Sequence, residues 1–361
     1  MSKQIFFILG RNPKLSYHEI MEFCKARGVV LREVFFESNV LVIQVGEEVV
    51  FDIGEFGGTM YIGDVGFAGA AEDVRGFLEG EELVMRDKFS FAVHGNCDSC
   101  VLKGRFKVER KRAVQKHGRK FLELQDGGKI GNPSADCHIL FYEYSGQVYL
   151  GLVSQSYDSV SAEKRDMGKP VRREALAISP RLGKILVNLS GAKGYDNLLD
   201  PFCGVGVILI EALLKGVNVY GMDKDIEAVR GVRQNLGWLY RNYDVGARYD
   251  VKCGDSVRVP CLDYDAVATE TPLGQLLTKR PSDMQAKQIV RDFERLIVPI
   301  LRRLGRCKRS GARIAITFPV VRGYHVDFDK IADATGLRVY LKPILESRRG
   351  QYVGRDVLAF V

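Results

Sequence analysis

The chain has 361 residues, of which 46% are hydrophobic and 27% charged, a balance typical of a soluble globular protein long enough for two domains. No apolar run approaches the roughly 20 residues of a membrane span, and the first residues lack a signal-peptide pattern, so we expect a cytoplasmic protein without membrane contact. The eight cysteines include one close pair, Cys97 and Cys100, without the second pair that a zinc ribbon needs, which predicts free thiols and no metal.

The net charge of +8 permits an acidic partner, and this charge is distributed unevenly along the chain. Residues 1–155 hold 19 Lys and Arg against 21 Asp and Glu, a net charge of −2, which leaves +10 for the remainder. The excess of positive charge therefore lies mainly in the second half.

The first elements in chain order favour a small ferredoxin-like unit. Residues 3–10 are apolar enough for a strand, and Ser16 with Glu19 forms a capping box for a helix that Gly28 ends. Two further apolar runs, separated by a Ser-Asn turn signal, follow before residue 46. The order is strand, helix, strand, strand.

The most basic segment, residues 103–120, follows a predicted strand and carries nine Lys and Arg against Glu109 alone. Interspersed apolar residues predict a helix with one buried face and one cationic face. The alternative is a helix face that is merely solvated. Because the surrounding residues are net acidic, we favour a local positive field that could neutralise phosphates. The residues predicted to contact nucleic acid are Lys103, Arg105, Lys107, Arg110, Lys111 and Arg112.

The second half of the chain alternates predicted strands and helices, which implies a largely parallel, doubly wound α/β sheet. A hairpin over residues 137–153 ends the first region, and the polar residues 156–175 are predicted to be a linker. We therefore expect one region over residues 1–155 and a Rossmann-like domain over residues 176–361. On such a sheet, ligands bind at the carboxyl ends of the strands.

A glycine-rich turn follows the predicted strand at residues 197–200 and precedes an apolar helix. Glycines at 204 and 206 let the backbone approach a ligand, and Asp223, about 20 residues later, could accept hydrogen bonds from ribose hydroxyls. A dinucleotide site would usually have a third glycine where Leu209 stands. The alternative is a tight turn in some other α/β protein, which Asp223 makes a minority interpretation.

The segment Asp-Pro-Phe-Cys-Gly-x-Gly resembles the first motif of class I S-adenosylmethionine-dependent methyltransferases, in the form found in enzymes that methylate RNA. The resemblance implies that Asp200 and the backbone of the turn hold the methionine part of the cofactor, while Asp223 holds its ribose and Asp255 its adenine amine. The residues expected to bind S-adenosylmethionine are Asp200, Phe202, Cys203, Gly204, Gly206, Asp223 and Asp255.

The whole chain resembles the THUMP-containing tRNA guanine N2-methyltransferases, including those that act on guanosine 10. The basic segment and the hairpin resemble a THUMP domain, an RNA-binding module. The implied fold is a class I methyltransferase sheet preceded by an α+β ferredoxin-like and THUMP-like region. The implied reaction is methyl transfer from S-adenosylmethionine to the exocyclic amine of a guanine in tRNA.

The segment after the fourth strand of the sheet departs from the family pattern. Amine methyltransferases carry Asp or Asn, Pro, Pro, then Tyr or Phe there, so that acceptors localise the amine lone pair while the aromatic ring stacks on the flipped base. This chain instead reads Glu-Thr-Pro-Leu-Gly from position 270. Glu270 and Pro272 are therefore the expected catalytic residues, and Leu273 lacks the stacking ring.

Three alternatives follow from this departure. The chain could be a tRNA-binding homologue that lacks catalysis or needs a protein partner. A DNA amine methyltransferase would leave the basic segment unexplained. A pyrimidine C5-methyltransferase would need a nucleophilic cysteine after the fourth strand, whereas Cys261 precedes that strand, and we therefore expect Cys261 to be structural.

Overall fold

The computed structural model describes residues 1–116, 134–172, 178–272, 279–347 and 351–361. Its contacts divide the chain into two compact units, Met1–Tyr17 with Gly28–Tyr157 and His18–Arg27 with Asp158–Val361. The second half of the first helix thus groups with the second unit, which the sequence did not indicate.

The first unit is built on one eight-stranded sheet with the strand order β2-β3-β1-β4-β8-β7-β5-β6. Its strands are β1 (Ser2–Leu9), β2 (Leu31–Glu37), β3 (Val40–Gly46), β4 (Thr59–Ala70), β5 (Lys88–His94), β6 (Arg112–Gln115), β7 (Cys137–Tyr144) and β8 (Gln147–Ser156). The helices of this part of the chain are α1 (Pro13–Ala26), α2 (Val74–Gly80) and α3 (Cys100–Val108).

Helix α1 begins earlier than the capping-box prediction placed it. The side chain of Asn12 accepts a hydrogen bond from the Leu15 N–H at 3.2 Å, and Pro13 occupies the first turn. Ser16 is buried inside the helix, where its hydroxyl donates to the Asn12 carbonyl oxygen. An Asn-Pro pair is itself a start signal, since proline suits the first helical position.

Strand β4 is the element that the sequence analysis missed, and it makes the sheet continuous. It pairs antiparallel with β1 on one side and with β8 on the other. At Gly63 a Cβ atom would lie 2.1 Å from the Leu152 carbonyl oxygen, so only glycine permits this approach. The expected strand-helix-strand-strand order is present, but its three strands form one side of an eight-stranded sheet.

The second unit contains a seven-stranded sheet with the order β11-β10-β9-β12-β13-β15-β14. Its strands are β9 (Asn197–Asp200), β10 (Asn218–Asp223), β11 (Tyr249–Cys253), β12 (Tyr264–Glu270), β13 (Lys308–Val321), β14 (Val339–Glu346) and β15 (Val353–Phe360). Strands β9 to β13 pair in parallel, and β15 pairs antiparallel with β13 and β14. The predicted doubly wound, largely parallel sheet is confirmed.

The helices of the second unit are α4 (Ser159–Gly168), α5 (Pro180–Leu189), α6 (Val207–Leu214), α7 (Ile226–Asn242), α8 (Asp283–Cys307) and α9 (Phe328–Thr335). Helix α4 lies within the segment predicted to be a linker, where Asp158 caps it by accepting from the Ser161 N–H. Helix α6 is buried on every face, which explains its almost wholly apolar sequence.

The prediction that all cysteines are free is wrong for two of them. Cys261 and Cys307 form a disulfide, while the other six cysteines are free thiols. Cys261 lies in the loop before β12, and Cys307 is the last residue of α8. The two positions are 46 residues apart, so nothing local in the sequence indicates the pairing. Cys261 is structural, as expected, but through a bond that the sequence did not reveal.

Candidate functional site

The glycine-rich turn joins the end of β9 to the start of α6. Gly204 and Gly206 have φ angles of +51° and +89°, in the left-handed region that favours glycine. A Cβ atom on Gly206 would lie 2.4 Å from the Val232 side chain, whereas one on Gly204 would meet nothing within 4 Å. Gly206 is therefore needed for packing, and Gly204 leaves open space beside the turn.

Asp223, at the end of β10, braces this turn. One carboxylate oxygen accepts a hydrogen bond from the Gly204 N–H at 2.9 Å, and the other accepts from the Asp225 N–H at the same distance. Each carboxylate oxygen can accept more than one hydrogen bond, so the carboxylate retains capacity for a ligand. These two hydrogen bonds hold the turn in one conformation, with the Gly204 backbone facing the ligand site.

Asp200, at the end of β9, is only 1% exposed. It accepts hydrogen bonds from the Thr269 hydroxyl at 2.6 Å and from the Phe202 N–H at 3.1 Å. Burial raises the pKa of Asp200 to about 7, with smaller contributions from the charges of Asp223 and Glu270, while its hydrogen bonds oppose the rise. The carboxyl groups at the ends of the two flanking strands, Asp223 and Glu270, thus act on Asp200.

A cavity of about 330 Å³ lies at the carboxyl ends of these strands. The predicted site residues that line it are Asp200, Phe202, Cys203, Gly204, Asp223, Asp255, Glu270 and Pro272. Gly206 is not among the lining residues. Asp255 also caps a short helical turn by accepting from the Val257 N–H at 3.1 Å. The structure therefore brings these eight predicted residues, Gly204 among them, to one cavity from four different strand ends.

Apolar side chains that the sequence analysis did not single out complete the wall. Ile178 precedes α5, and Leu296 and Ile300 come from α8. Leu296 is 43% exposed, which is unusual for a leucine on the apolar face of a helix. The cavity combines an acidic side with an apolar side, a composition that suits a nucleoside-type ligand with a positive charge.

Glu270 forms an ion pair with a residue that the sequence analysis missed. The Arg355 Nε lies 2.5 Å from Glu270 Oε1, and both side chains are about one-tenth exposed. Thr271, which replaces the first proline of the family pattern, is buried, and its hydroxyl donates to the Thr317 carbonyl oxygen at 2.6 Å. These two bonds anchor the end of β12 toward β13 and β15. Leu273 and Gly274 lie outside the described residues.

The basic segment differs from the long helix that was predicted. Helix α3 ends at Val108, Arg110 has a φ of +56°, and the chain then enters strand β6. Arg119 and Lys120 lie outside the described residues. The six predicted nucleic-acid contacts are thus divided between a helix, a turn and a strand.

Two of these six cations are held by acids of the same unit. The Arg105 Nε lies 2.9 Å from Glu109 Oε1, and the Lys111 Nζ lies 2.6 Å from Glu82 Oε1 with its side chain only 3% exposed. The exposed members are Lys103, Lys107, Arg110 and Arg112. Only these four present their charge to a partner as the prediction requires.

Comparison with known proteins relates the second unit to methyltransferases. Residues 170–316 match the family described as RMKL-like, methyltransferase domain. A tRNA (guanine(10)-N2)-dimethyltransferase of Pyrococcus abyssi is 27% identical over 353 residues, which cover 92% of each chain. A protein of the same description from Methanothermobacter thermautotrophicus is 37% identical over 139 residues, which span 37% of this chain and 39% of that relative.

Solved structures give the same fold across the chain. TrmN from Thermus thermophilus superposes with a TM-score of 0.53 and 15% identity, covering 100% of both chains. A possible methylase from Clostridium difficile 630 superposes with a TM-score of 0.52 and 12% identity, covering 99% of this chain and 98% of that one. At these identities the likeness concerns the fold alone.

Proposed function

We propose that this chain, whose residues 170–316 match the RMKL-like methyltransferase domain, transfers a methyl group from S-adenosylmethionine to the exocyclic N2 amine of a guanine in tRNA. The observation that carries the proposal is the convergence of Asp200, Asp223, Asp255 and Glu270 on one cavity beside the glycine-rich turn. The curated relatives that carry the guanine N2 description support the substrate. We place this activity in the cytoplasm, where tRNA is used.

The residues present fit S-adenosylmethionine, which when bound supplies an activated methyl group on a positively charged sulfur. The acidic lining favours that charge and the cofactor's ammonium group. The open space beside Gly204 lets the backbone approach the methionine part together with Asp200. Asp223 would accept from the ribose hydroxyls, and Asp255 from the adenine amine.

The target amine would meet the end of β12. Its lone pair is delocalised into the guanine ring, so acceptors for its two N–H groups help to localise electron density on nitrogen. Glu270 supplies one acceptor and the backbone carbonyl at Pro272 the other; both residues line the cavity. A guanine within a stem has to leave the base stack to reach them. The first unit, with its exposed cations, would dock the rest of the tRNA.

Two observations favour the second candidate, a tRNA-binding homologue that lacks catalysis or needs a protein partner. Glu270 is already engaged by Arg355, and the aromatic position of the family motif is Leu273. If the ion pair withholds the carboxylate from the amine, the chain would bind cofactor and tRNA without transferring a methyl group.

The purified chain should be incubated with S-adenosylmethionine carrying a deuterated methyl group and with unmodified tRNA transcripts. Mass spectrometry of the digested nucleosides should find deuterated N2-methylguanosine or its dimethyl form. The variant E270Q should retain cofactor binding and lose most of this product. If the wild-type chain binds both ligands and yields no labelled nucleoside, while addition of cell extract restores labelling, a partner is required. If extract also fails, the binding-protein candidate replaces the enzyme.

A further inference from the structure

Strand β15 carries two buried charged residues among apolar neighbours. Arg355 is 9% exposed and Asp356 is 3% exposed. Asp356 lies 2.6 Å from the His325 imidazole, and Arg355 contacts Glu270. Because a buried charge destabilises a fold unless it is paired with good geometry, a pair at this depth gives little net stability over an apolar replacement. The Arg355–Glu270 pair lies beside the cavity, so we looked for a role of this pair in the site and not in stability.

Sheet register shows how far Arg355 reaches. Glu270 lies opposite Thr317 on β13, and Thr317 lies opposite Val357 on β15. Glu270 and Arg355 therefore stand on strands that flank β13, about 10 Å apart at the usual strand spacing, and Arg355 lies opposite Pro319, two residues farther along β13. Two long side chains are needed to bridge that distance. Aspartate, the residue of the family pattern, is one methylene shorter and reaches less far from the same backbone position.

The ion pair also bears on what the carboxyl group can do. A neighbouring guanidinium stabilises the ionised form of a carboxylic acid. An ionised carboxylate only accepts hydrogen bonds and has about four acceptor sites, whereas the protonated acid would also donate. A carboxylate that accepts from a guanidinium can therefore also accept from an amine, and the ion pair with Arg355 orients it.

We propose that Arg355 is a positioning residue that holds the Glu270 carboxylate where it can accept a hydrogen bond from the methyl-accepting amine. Glu270 stands where the family pattern has the shorter aspartate, and the contact with the Arg355 guanidinium sets the position of this longer side chain. This inference rests on the proposed function, because it assigns Glu270 the role of amine acceptor.

The test compares R355M, R355K, E270Q and the double variant E270Q/R355M in steady-state methyl transfer to tRNA. R309M is the control for the loss of an arginine ion pair to β12, because Arg309 on β13 pairs with Asp265 at the end of β12 away from the cavity. Thermal unfolding of each variant identifies any that fail to fold.

We expect R355M to lower kcat on the order of 10²-fold, the loss typical of a misplacement near 1 Å, with KM for both ligands little changed. R355K should recover part of the loss, because it keeps the charge without the planar fork. In the E270Q background, R355M should cost little more, because the two residues act as one unit. R309M should match the wild type. An R355M enzyme with wild-type kcat, or equal losses in both backgrounds, overturns the inference.

A crystal structure of R355M gives a readout that does not depend on catalysis. The Glu270 carboxylate should leave the position that it occupies beside the cavity, while in R309M it should stay. If Glu270 keeps its position without Arg355, the positioning role is wrong, whatever the activity. If the wild-type chain proves inactive but Glu270 is displaced in R355M, the proposed function fails and the positioning role stands.

Discussion

Asp223 both supports the glycine-rich turn and lines the cavity. It braces the glycine-rich turn through the Gly204 N–H and lines the cavity where a ribose would lie. The substitution D223A should weaken S-adenosylmethionine binding by about 1.5–3 kcal/mol, the range for lost hydrogen bonds to a charged group. Calorimetric titration measures this directly. D223N, which retains a turn acceptor without the charge, should lose less. Unchanged affinity in D223A would remove Asp223 from the cofactor site.

His94 and His138 form a buried pair in the first unit, with the His94 Nε2 and His138 Nδ1 3.0 Å apart and Tyr61 against both rings. Burial lowers the pKa of His94 to about 3 and that of His138 to about 4, and the neighbouring ring further lowers the pKa of His94. In the unfolded chain both titrate near 6.5, so below that pH the unfolded state binds more protons.

The contribution of this histidine pair to the free energy of unfolding should therefore not change above pH 6.5. It should decrease as the pH falls from 6.5 toward 4. The slope is up to about 1.4 kcal/mol per pH unit for each histidine. Urea unfolding followed at pH 7, 6 and 5 measures it. The double variant H94F/H138F should show a smaller slope over this range. An equal slope in the variant would assign the acid sensitivity to other groups.

Sequence alone located the residues whose position follows from local order. Asp200, Asp223 and Glu270 end strands, and a parallel sheet brings strand ends to one edge, so their convergence could be predicted. Arg355 could not be placed, because its partner is 85 residues away and depends on the register of β13 between two other strands. The one local signal was an Arg-Asp pair inside an otherwise apolar strand.

Helices and strands with a clear hydrophobic pattern of their own were predicted well. Elements that depend on contacts with another part of the chain were not. Strand β4 contains Gly63, Gly66 and Gly69, which weaken a strand pattern, yet Gly63 is what allows β8 to approach. Helix α4 is polar and short, so its sequence resembles a linker. The disulfide of Cys261 and Cys307 likewise depends on tertiary packing.

The structure divides the basic segment into exposed and paired charges, and this division can be tested. Replacing Lys103, Lys107, Arg110 and Arg112 by Gln should weaken tRNA binding and flatten its dependence on salt by up to about 0.9 per lost phosphate contact. Filter binding across salt concentrations measures the slope. R105Q is the matched control, because Arg105 is paired with Glu109; it should leave the slope nearly unchanged. An unaltered slope in the fourfold variant would mean that this surface is merely solvated.

At the scale of the whole molecule, the two units have different features that the proposed activity would use. The second unit has the largely parallel sheet, the glycine-rich turn and the acidic cavity, and the first has exposed cations on α3, on the turn after it and on β6. Among the described residues, no helix is long and apolar enough to cross a membrane. The class of fold could be predicted because strand-end acids, glycines and helix periodicity all indicate the same sheet. The extent of the first sheet could not, since it depends on β4.

The proposed reaction, guanine N2 methylation of tRNA, should leave a mark on cellular tRNA. Nucleosides from the tRNA of cells with and without this protein should be compared by mass spectrometry, with cells that carry only the E270Q variant as a third sample. We expect the amount of an N2-methylated guanosine to fall in the cells without the protein and to stay low with E270Q. If every N2-methylated guanosine is unchanged in both samples, this chain is not the methyltransferase that we propose.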